Sequence, residues 1–217
     1  MLMRLKLLPL SAAIMLAALL TPVFSMVSVR AAPDTAAFVE NLTYTAFATL
    51  GNHNITEQER FAKFSDLLRS RVDMPRIGRF VLGANWRQAS PEQQAEYQKL
   101  FSDYVVSAFA GRLQEYTDSQ ITIKSSIPTG KGEHIVSTLI RNPKNPEPVK
   151  VDWRLRENAG ALQVLDMTIE GVSMALTQRS EFSSLIQQNG GDINVLLDRL
   201  RSTAGAVRQG KQVSISN

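Results

Sequence analysis

Six stretches of the chain place apolar residues at helical spacing, and between the fourth and the fifth the period drops to two. From Pro33 to about Leu50, the residues Phe38, Val39, Leu42, Ala46, Phe47 and Leu50 fall on one face, and Gly51-Asn52 supplies a stop. Thr56 with Glu59 is a capping box; it opens a helix to Arg71 whose apolar side is Phe61, Phe64, Leu67 and Leu68. Asp73-Met74-Pro75 sets a capping carboxylate ahead of a proline, which predicts a short helix with Ile77, Phe80 and Val81 inward and an end near Gly83. Ser90-Pro91-Glu92-Gln93 repeats that arrangement. It starts the longest helix, whose stripe Tyr97, Leu100, Phe101, Tyr104, Val105, Ala108, Phe109 and Leu113 continues to about Tyr116.

After Asp118 the pattern is that of strands. Ile121 and Ile123 begin the first, Pro128-Thr129-Gly130 reads as a turn, and His134 to Ile140, including Val136, forms the second with both faces partly apolar. Asn142-Pro143-Lys144-Asn145-Pro146 is a rigid turn into the clearest alternation in the chain. There Val149, Val151, Trp153 and Leu155 share one face, and Lys150, Asp152, Arg154 and Arg156 the other, so one side is dry and one wet. Asn158-Ala159-Gly160 makes a hairpin, and the returning strand sets Leu165, Met167 and Ile169 against Val164, Asp166 and Thr168. A helix from Ser173 with Leu176, Phe182, Leu185 and Ile186 stops at Gly190-Gly191. Asp192 caps a last helix with Ile193, Leu196, Leu197 and Leu200, and the tail after Thr203 is polar and reads as mobile. The fold class is α+β: a curved antiparallel sheet of about four strands covered by helices. Periodicity alone leaves open whether the space between them is a filled core or a pocket, since an apolar stripe serves both.

Composition narrows the chemistry. The chain has 217 residues and no cysteine, which excludes disulfides, a thiol nucleophile, an iron–sulfur cluster and any Cys-containing zinc site. Two histidines, His53 and His134, are too few for a histidine-built metal centre within one chain. The pI of about 9.5 suggests a polyanion partner until its source is located. Residues 1–31 hold Arg4, Lys6 and Arg30 and no acid, so without them the 24 basic and 20 acidic residues become 21 and 20. With no Lys/Arg block either, nucleic acid is set aside. The same segment has a basic start, an uncharged run from Leu7 to Val29 and Val29-Arg30-Ala31, the order of a cleavable secretory signal, with an uncleaved membrane anchor as the alternative. The predicted organisation is a signal peptide over 1–31, one domain over 32–203 and a mobile tail over 204–217. Export without cysteine points to a bacterial periplasm and, with no cysteine at the cut, away from a lipid-anchored lipoprotein.

Two arrangements resemble catalytic ones. Gly171-Val172-Ser173-Met174-Ala175 between strand and helix is close to a nucleophile elbow. The required histidine after the serine is absent, and Ser173 reads as a helix N-cap. Asp166, Glu170 and Asp152 could act as acid or base in a cone-shaped fold. Alternation puts Asp152 among the charges of the wet face, and Asp166 reads as a solvated or capping carboxylate.

Taken in order, Asp73 to Trp86, Ala89-Ser90-Pro91-Glu92-Gln93, Asp166 to Ser173 and Gln178-Arg179-Ser180-Glu181-Phe182 make the chain resemble the MlaC family of periplasmic phospholipid-shuttle proteins, also called toluene-tolerance or auxiliary ABC-transport proteins. The spaced elements are Leu82-Gly83-x-x-Trp86, Glu170-Gly171-Val172-Ser173 and Arg179-x-x-Phe182, and the resemblance runs from about Thr35 to Leu200. Gln178 stands where the family has an aromatic residue, Trp153 where it usually has tyrosine, and Ala175 to Arg179 resembles the hopanoid-associated HpnM branch. The resemblance implies a carrier, not an enzyme and needing no cofactor, with an apolar cavity between sheet and helices for lipid acyl chains. Its implied lining is Phe80, Leu100, Tyr104, Val105, Ala108, Val136, Ile140, Val149, Val151, Trp153, Leu155, Met167 and Ile169. The implied partners are phospholipid, an inner-membrane ABC transporter complex and an outer-membrane lipoprotein complex. An enzyme acting on an apolar ligand and an adaptor with a filled core are the competing readings.

Overall fold

Local capping chemistry starts all six helices in the computed structural model, including Asp192 at the Asn194 amide of the last; the structure describes residues 34–158 and 160–208, with side chains to Thr203. The chain divides into two units, Met1–Ala32 and Pro33–Asn217, and the described residues all belong to the second. The predicted signal peptide and residues 209–217 of the predicted tail lie outside them. Helix α1 (Thr35–Leu50) starts where Asp34 accepts from the Ala37 amide at 2.9 Å. Thr56 and Glu59 form a reciprocal capping box on α2 (Glu57–Arg71), and Asp73 caps α3 (Met74–Leu82) at the Arg76 amide. A short 3₁₀ turn, Gly83–Arg87, leads to the second capping box, Ser90 with Gln93, and the long α4 (Pro91–Leu113). Ser173 caps α5 (Met174–Gln188) at Leu176, and α6 spans Ile193–Arg208, past the predicted end of the domain at Thr203.

Between α4 and α5 runs an antiparallel meander in the order β1-β2-β3-β4-β5. Its strands are β1 (Gln120–Gly130), β2 (Glu133–Arg141), β3 (Val149–Asn158), β4 (Ala161–Ile169) and the two-residue β5 (Val172–Ser173). The fifth strand is beyond the about four that alternation predicts. It forms because Glu170 and Gly171 both take positive φ, 48° and 82°, turning the chain back so that Val172 pairs with Ile169. Pro128 lies within β1, opposite His134, rather than in the turn, which is carried instead by Lys131 and Gly132 at φ 55° and 72°. β1 is an edge strand, where a missing N–H breaks no ladder.

One register shift changes which residues share a face. Arg154 pairs with Asp166 but Leu155 with Val164, so Leu165 is an extra residue and Val164 joins Met167 on the dry side. The alternation read from the sequence placed Val164 on the opposite face. At this bulge the chain between α2 and α3 docks: Val72 bridges to Val164, and the Asp73 amide donates to the Val164 carbonyl at 3.0 Å.

Three apolar clusters result. Helices α3 to α6 enclose Tyr97, Phe101 and Phe182, with Tyr97 stacked on Phe101 at 5.6 Å and edge-on to Phe182 at 6.4 Å. The dry sheet face and α1 share Val39, Val136, Trp153 and Leu155, and α1, α2 and α4 share Leu50, Phe64 and Val106. The clusters touch through shared residues, Val105 between the first and third and Leu67, Val72 and Leu113 between the second and third. None fills the middle.

Candidate functional site

A cavity of about 1340 Å³ occupies that middle. Its floor is the dry face of the sheet, with Ile140, Val149, Val151, Trp153, Met167 and Ile169; α1 contributes Leu42, Ala46 and Phe47, and α4 contributes Tyr104, Val105 and Ala108. Exposed polar residues in its lining are Glu57 and Gln58 on α2, Arg112, Gln114 and Glu115 at and after the end of α4, and Thr177 and Glu181 on α5. Pockets for small organic ligands span roughly 300–1,000 Å³, so this space suits a larger guest. A dry void at about 24 cal/mol per Å³ would cost about 30 kcal/mol, against a domain stability of about 5–15 kcal/mol. The space is therefore sustained by contact with solvent or with an apolar guest, not left as a packing defect.

Nine of the residues implied as lining are on this wall: Tyr104, Val105, Ala108, Ile140, Val149, Val151, Trp153, Met167 and Ile169. Four are elsewhere. Leu100 is buried in the cluster of α3 to α6 and does not reach the cavity. Val136 and Leu155 are fully buried among α1 and β4 neighbours and do not line the cavity. Phe80 is 41 % exposed beside Arg179, 5.1 Å from its guanidinium carbon to the ring centre, and lines a separate small pocket. The stripe of α3 predicted to be inward splits accordingly: Ile77 and Val81 face the cavity and Phe80 does not. Sequence reasoning also missed the α1 and α2 wall, Leu42, Ala46, Phe47, Phe61 and Leu68, although the helical stripes containing them were visible.

The few polar groups on the wall are nearly all tied up. Trp153 Nε1 donates to Thr138 Oγ1 at 3.1 Å, and that hydroxyl donates to the Val151 carbonyl at 2.9 Å, satisfying an indole and a hydroxyl on an otherwise apolar face. Tyr104 Oη donates to Gln178 Oε1 at 2.7 Å, and Gln178 Nε2 donates to Glu181 Oε2 at 2.9 Å, linking α4 to α5 across the wall. Burial, with the Glu181 charge acting the same way, pushes the Tyr104 phenol up to about 12. Both positions where the sequence departs from the MlaC pattern, Trp153 and Gln178, thus have a hydrogen-bond partner. Thr43, on the α1 wall, is an exception: its hydroxyl is buried without a partner, as are Ser119 Oγ and Asp152 Oδ1 away from the cavity.

The two catalytic-looking arrangements become structural ones. Asp166 accepts from the Met167 amide at 2.8 Å, the Ala175 amide at 3.0 Å and the Ser173 hydroxyl at 2.5 Å, so it anchors the start of α5. Ser173 is its N-cap, with no imidazole among its partners. Asp152 pairs with Lys150 at 3.1 Å on the other side of the sheet. Among the described residues no three His, Cys, Asp or Glu side chains gather where a metal ion could sit.

Comparison with known proteins agrees with this architecture. The family model described as MlaC protein matches residues 40–202. The toluene tolerance protein ttg2D of Pseudomonas putida is 25 % identical over 145 residues, covering 66 % of this chain and 65 % of that protein. The intermembrane phospholipid transport system binding protein MlaC of Haemophilus influenzae is 26 % identical over 136 residues, covering 61 % and 63 %. The chain therefore spans just under two thirds of the length of each. A solved phospholipid-binding protein from Ralstonia solanacearum, in complex with a phospholipid, superposes with a TM-score of 0.70 over 81 % of this chain and 99 % of that one; at 24 % identity the likeness is one of fold. With its family model matched across nearly all of the described fold, the chain belongs to the MlaC family.

Proposed function

We propose that the protein is a periplasmic carrier that holds the acyl chains of a phospholipid in the central cavity and passes the lipid between an inner-membrane ABC transporter complex and an outer-membrane lipoprotein complex. The observation that carries this reading is the size and lining of the cavity: about 1340 Å³, walled by the dry sheet face and apolar helix stripes, with most of its charged residues at exposed positions and Asp166 tied up in three hydrogen bonds. Two chains of about 16 carbons at roughly 0.8 kcal/mol per methylene gain more than 20 kcal/mol gross on leaving water, which is at the limit of non-covalent affinity. Release into water would be too slow, so hand-over takes place in a docked complex, between two apolar sites of similar affinity. Trp153, Tyr104, Gln178 and Asp166 on the wall are held in hydrogen bonds to other protein groups, an arrangement that favours holding a ligand over converting it.

The experiment is native mass spectrometry of the protein purified without detergent from a bacterial host, with extraction of whatever is bound. Near-stoichiometric glycerophospholipid is expected. A hopanoid would move the protein to the hopanoid-associated branch, and folded protein with only trace lipid would overturn the carrier reading. N-terminal sequencing of exported protein is expected to begin at Ala32; an intact Met1 on membrane-bound protein would make it a tethered carrier.

A further inference from the structure

The motif residues Gly83, Trp86 and Arg179 do not meet in the cavity. They come together beyond α3 and α5, where Arg79, Phe80, Gly83, Trp86, Arg87 and Arg179 wall a second pocket of about 300 Å³. Ile77 and Val81 of α3, with Gln178 and Glu181 of α5, line the large cavity instead. Other faces of the same two helices thus form the small pocket.

Three guanidiniums share this small space. Among the described residues none of them has a carboxylate within ion-pair distance, whereas Arg69, Arg154 and Arg201 are each paired. Two of the three lie on aromatic rings instead, Arg179 at 5.1 Å from the centre of Phe80 and Arg79 at 5.7 Å from that of Trp86. Gly83 makes room for this: its φ is 60°, and a Cβ there would come within 3.0 Å of Arg179 Nε and 3.2 Å of the guanidinium carbon. From Pro75 to Pro91 the chain carries Arg76, Arg79 and Arg87 and no acid. Three like charges held in one concavity repel, and an anion placed among them reverses that cost.

We propose that this pocket docks a carboxylate side chain from an acidic segment of a partner protein, with the exposed edge of Phe80 as the apolar contact beside it. The proposal rests on the carrier reading for its purpose, since a docked hand-over needs such a contact, but not for its chemistry. A guanidinium held over a ring keeps its planar fork of donors in place, which suits bidentate carboxylate. The concavity admits one protruding group. Its three arginines fall short of the roughly four to eight basic residues that read as binding an anionic bilayer surface.

The test uses the purified protein, fluorescence anisotropy at low salt, and two labelled acetylated peptides: Glu-Glu-Leu-Glu-Glu-Leu-Glu and the same sequence with Gln for Glu. The Glu peptide is expected to bind and the Gln peptide not, with affinity falling as salt rises. Arg79→Gln combined with Arg179→Gln should weaken binding at least tenfold, about 1.4 kcal/mol. Arg87→Gln, at an exposed position, should weaken it several-fold even if the double variant disturbs the fold. Unchanged affinity in folded variants, a wild-type protein that ignores the Glu peptide, or one that prefers phosphatidylglycerol vesicles to it, would each overturn the proposal. Native mass spectrometry of bound lipid on the same samples separates the two readings. Lipid without peptide binding removes the docking site and leaves the carrier; peptide binding without lipid removes the carrier and leaves the site.

Discussion

Replacing Val151 by arginine sets a charge in the middle of the cavity floor, at a position 4 % exposed and flanked across the sheet by Thr138 and Ile169. No free carboxylate waits for it there, because Asp166, which β4 contributes to the wall, already accepts three hydrogen bonds. In a filled core an uncompensated buried charge costs about 3–5 kcal/mol, a large part of a stability of about 5–15 kcal/mol. Val151 lines the cavity instead, so the arginine stem can lie along the apolar wall with its head toward the polar margin. The expected cost is then about 1–2 kcal/mol. At roughly 2–4 °C per kcal/mol for a domain of this size, the melting temperature should fall by about 2–8 °C. The longer side chain displaces lipid. Excluding about four methylenes at 0.8 kcal/mol each removes about 3 kcal/mol, a loss of more than a hundredfold in affinity. The assay pairs thermal unfolding by circular dichroism with extraction of bound lipid from the same preparation. A variant unfolded at 25 °C would return this strand to an ordinary core, and a folded variant with wild-type lipid would mean that acyl chains do not pass Val151.

Asp166→Ala should lower stability by about 2–3 kcal/mol, since two donors at the start of α5 and the Met167 amide of β4 lose a charged acceptor, while bound lipid stays unchanged; urea midpoints and extraction check both. The raised Tyr104 pKa gives stability that is complete below about pH 10, the unfolded value, and is lost as pH rises through the folded value of about 12. Tyr97, pushed up by burial, acts in the same sense. Tyr104→Phe should therefore flatten the alkaline loss of stability, read from urea midpoints between about pH 9 and 12; an unchanged slope would refute the assignment. Gly83→Ala should cost about 1–2 kcal/mol for its positive φ and for the contact with Arg179. Combined with Arg179→Ala, it should cost less than the sum of the two single changes, as measured by a double-mutant cycle.

Helix starts were legible in the sequence because a cap is a local object: Thr56 with Glu59, Ser90 with Gln93 and Asp73 ahead of Pro75 each bond within three residues of themselves. The alternation of β3 was legible for the same reason. Its buried Val151, Trp153 and Leu155 and the opposed Lys150 and Arg154 follow from a period that needs no partner to be read. Register was not. The bulge at Leu165 moves Val164 to the dry face, and what meets Val164 there is Val72, some ninety residues earlier in the chain.

The cavity is the clearest case of what only the tertiary structure decides. Leu100 and Tyr104 sit one helical turn apart in one stripe of α4 and belong to one cluster, yet only Tyr104 also lines the cavity. On α3, Phe80 and Val81 are adjacent and end in different pockets. Hydrophobicity fixes which side of an element leaves water, and that is all a one-dimensional pattern carries. Whether the withdrawn side meets another side chain or a gap depends on how far apart α1, α4 and the sheet are held, by contacts between residues that no local period connects.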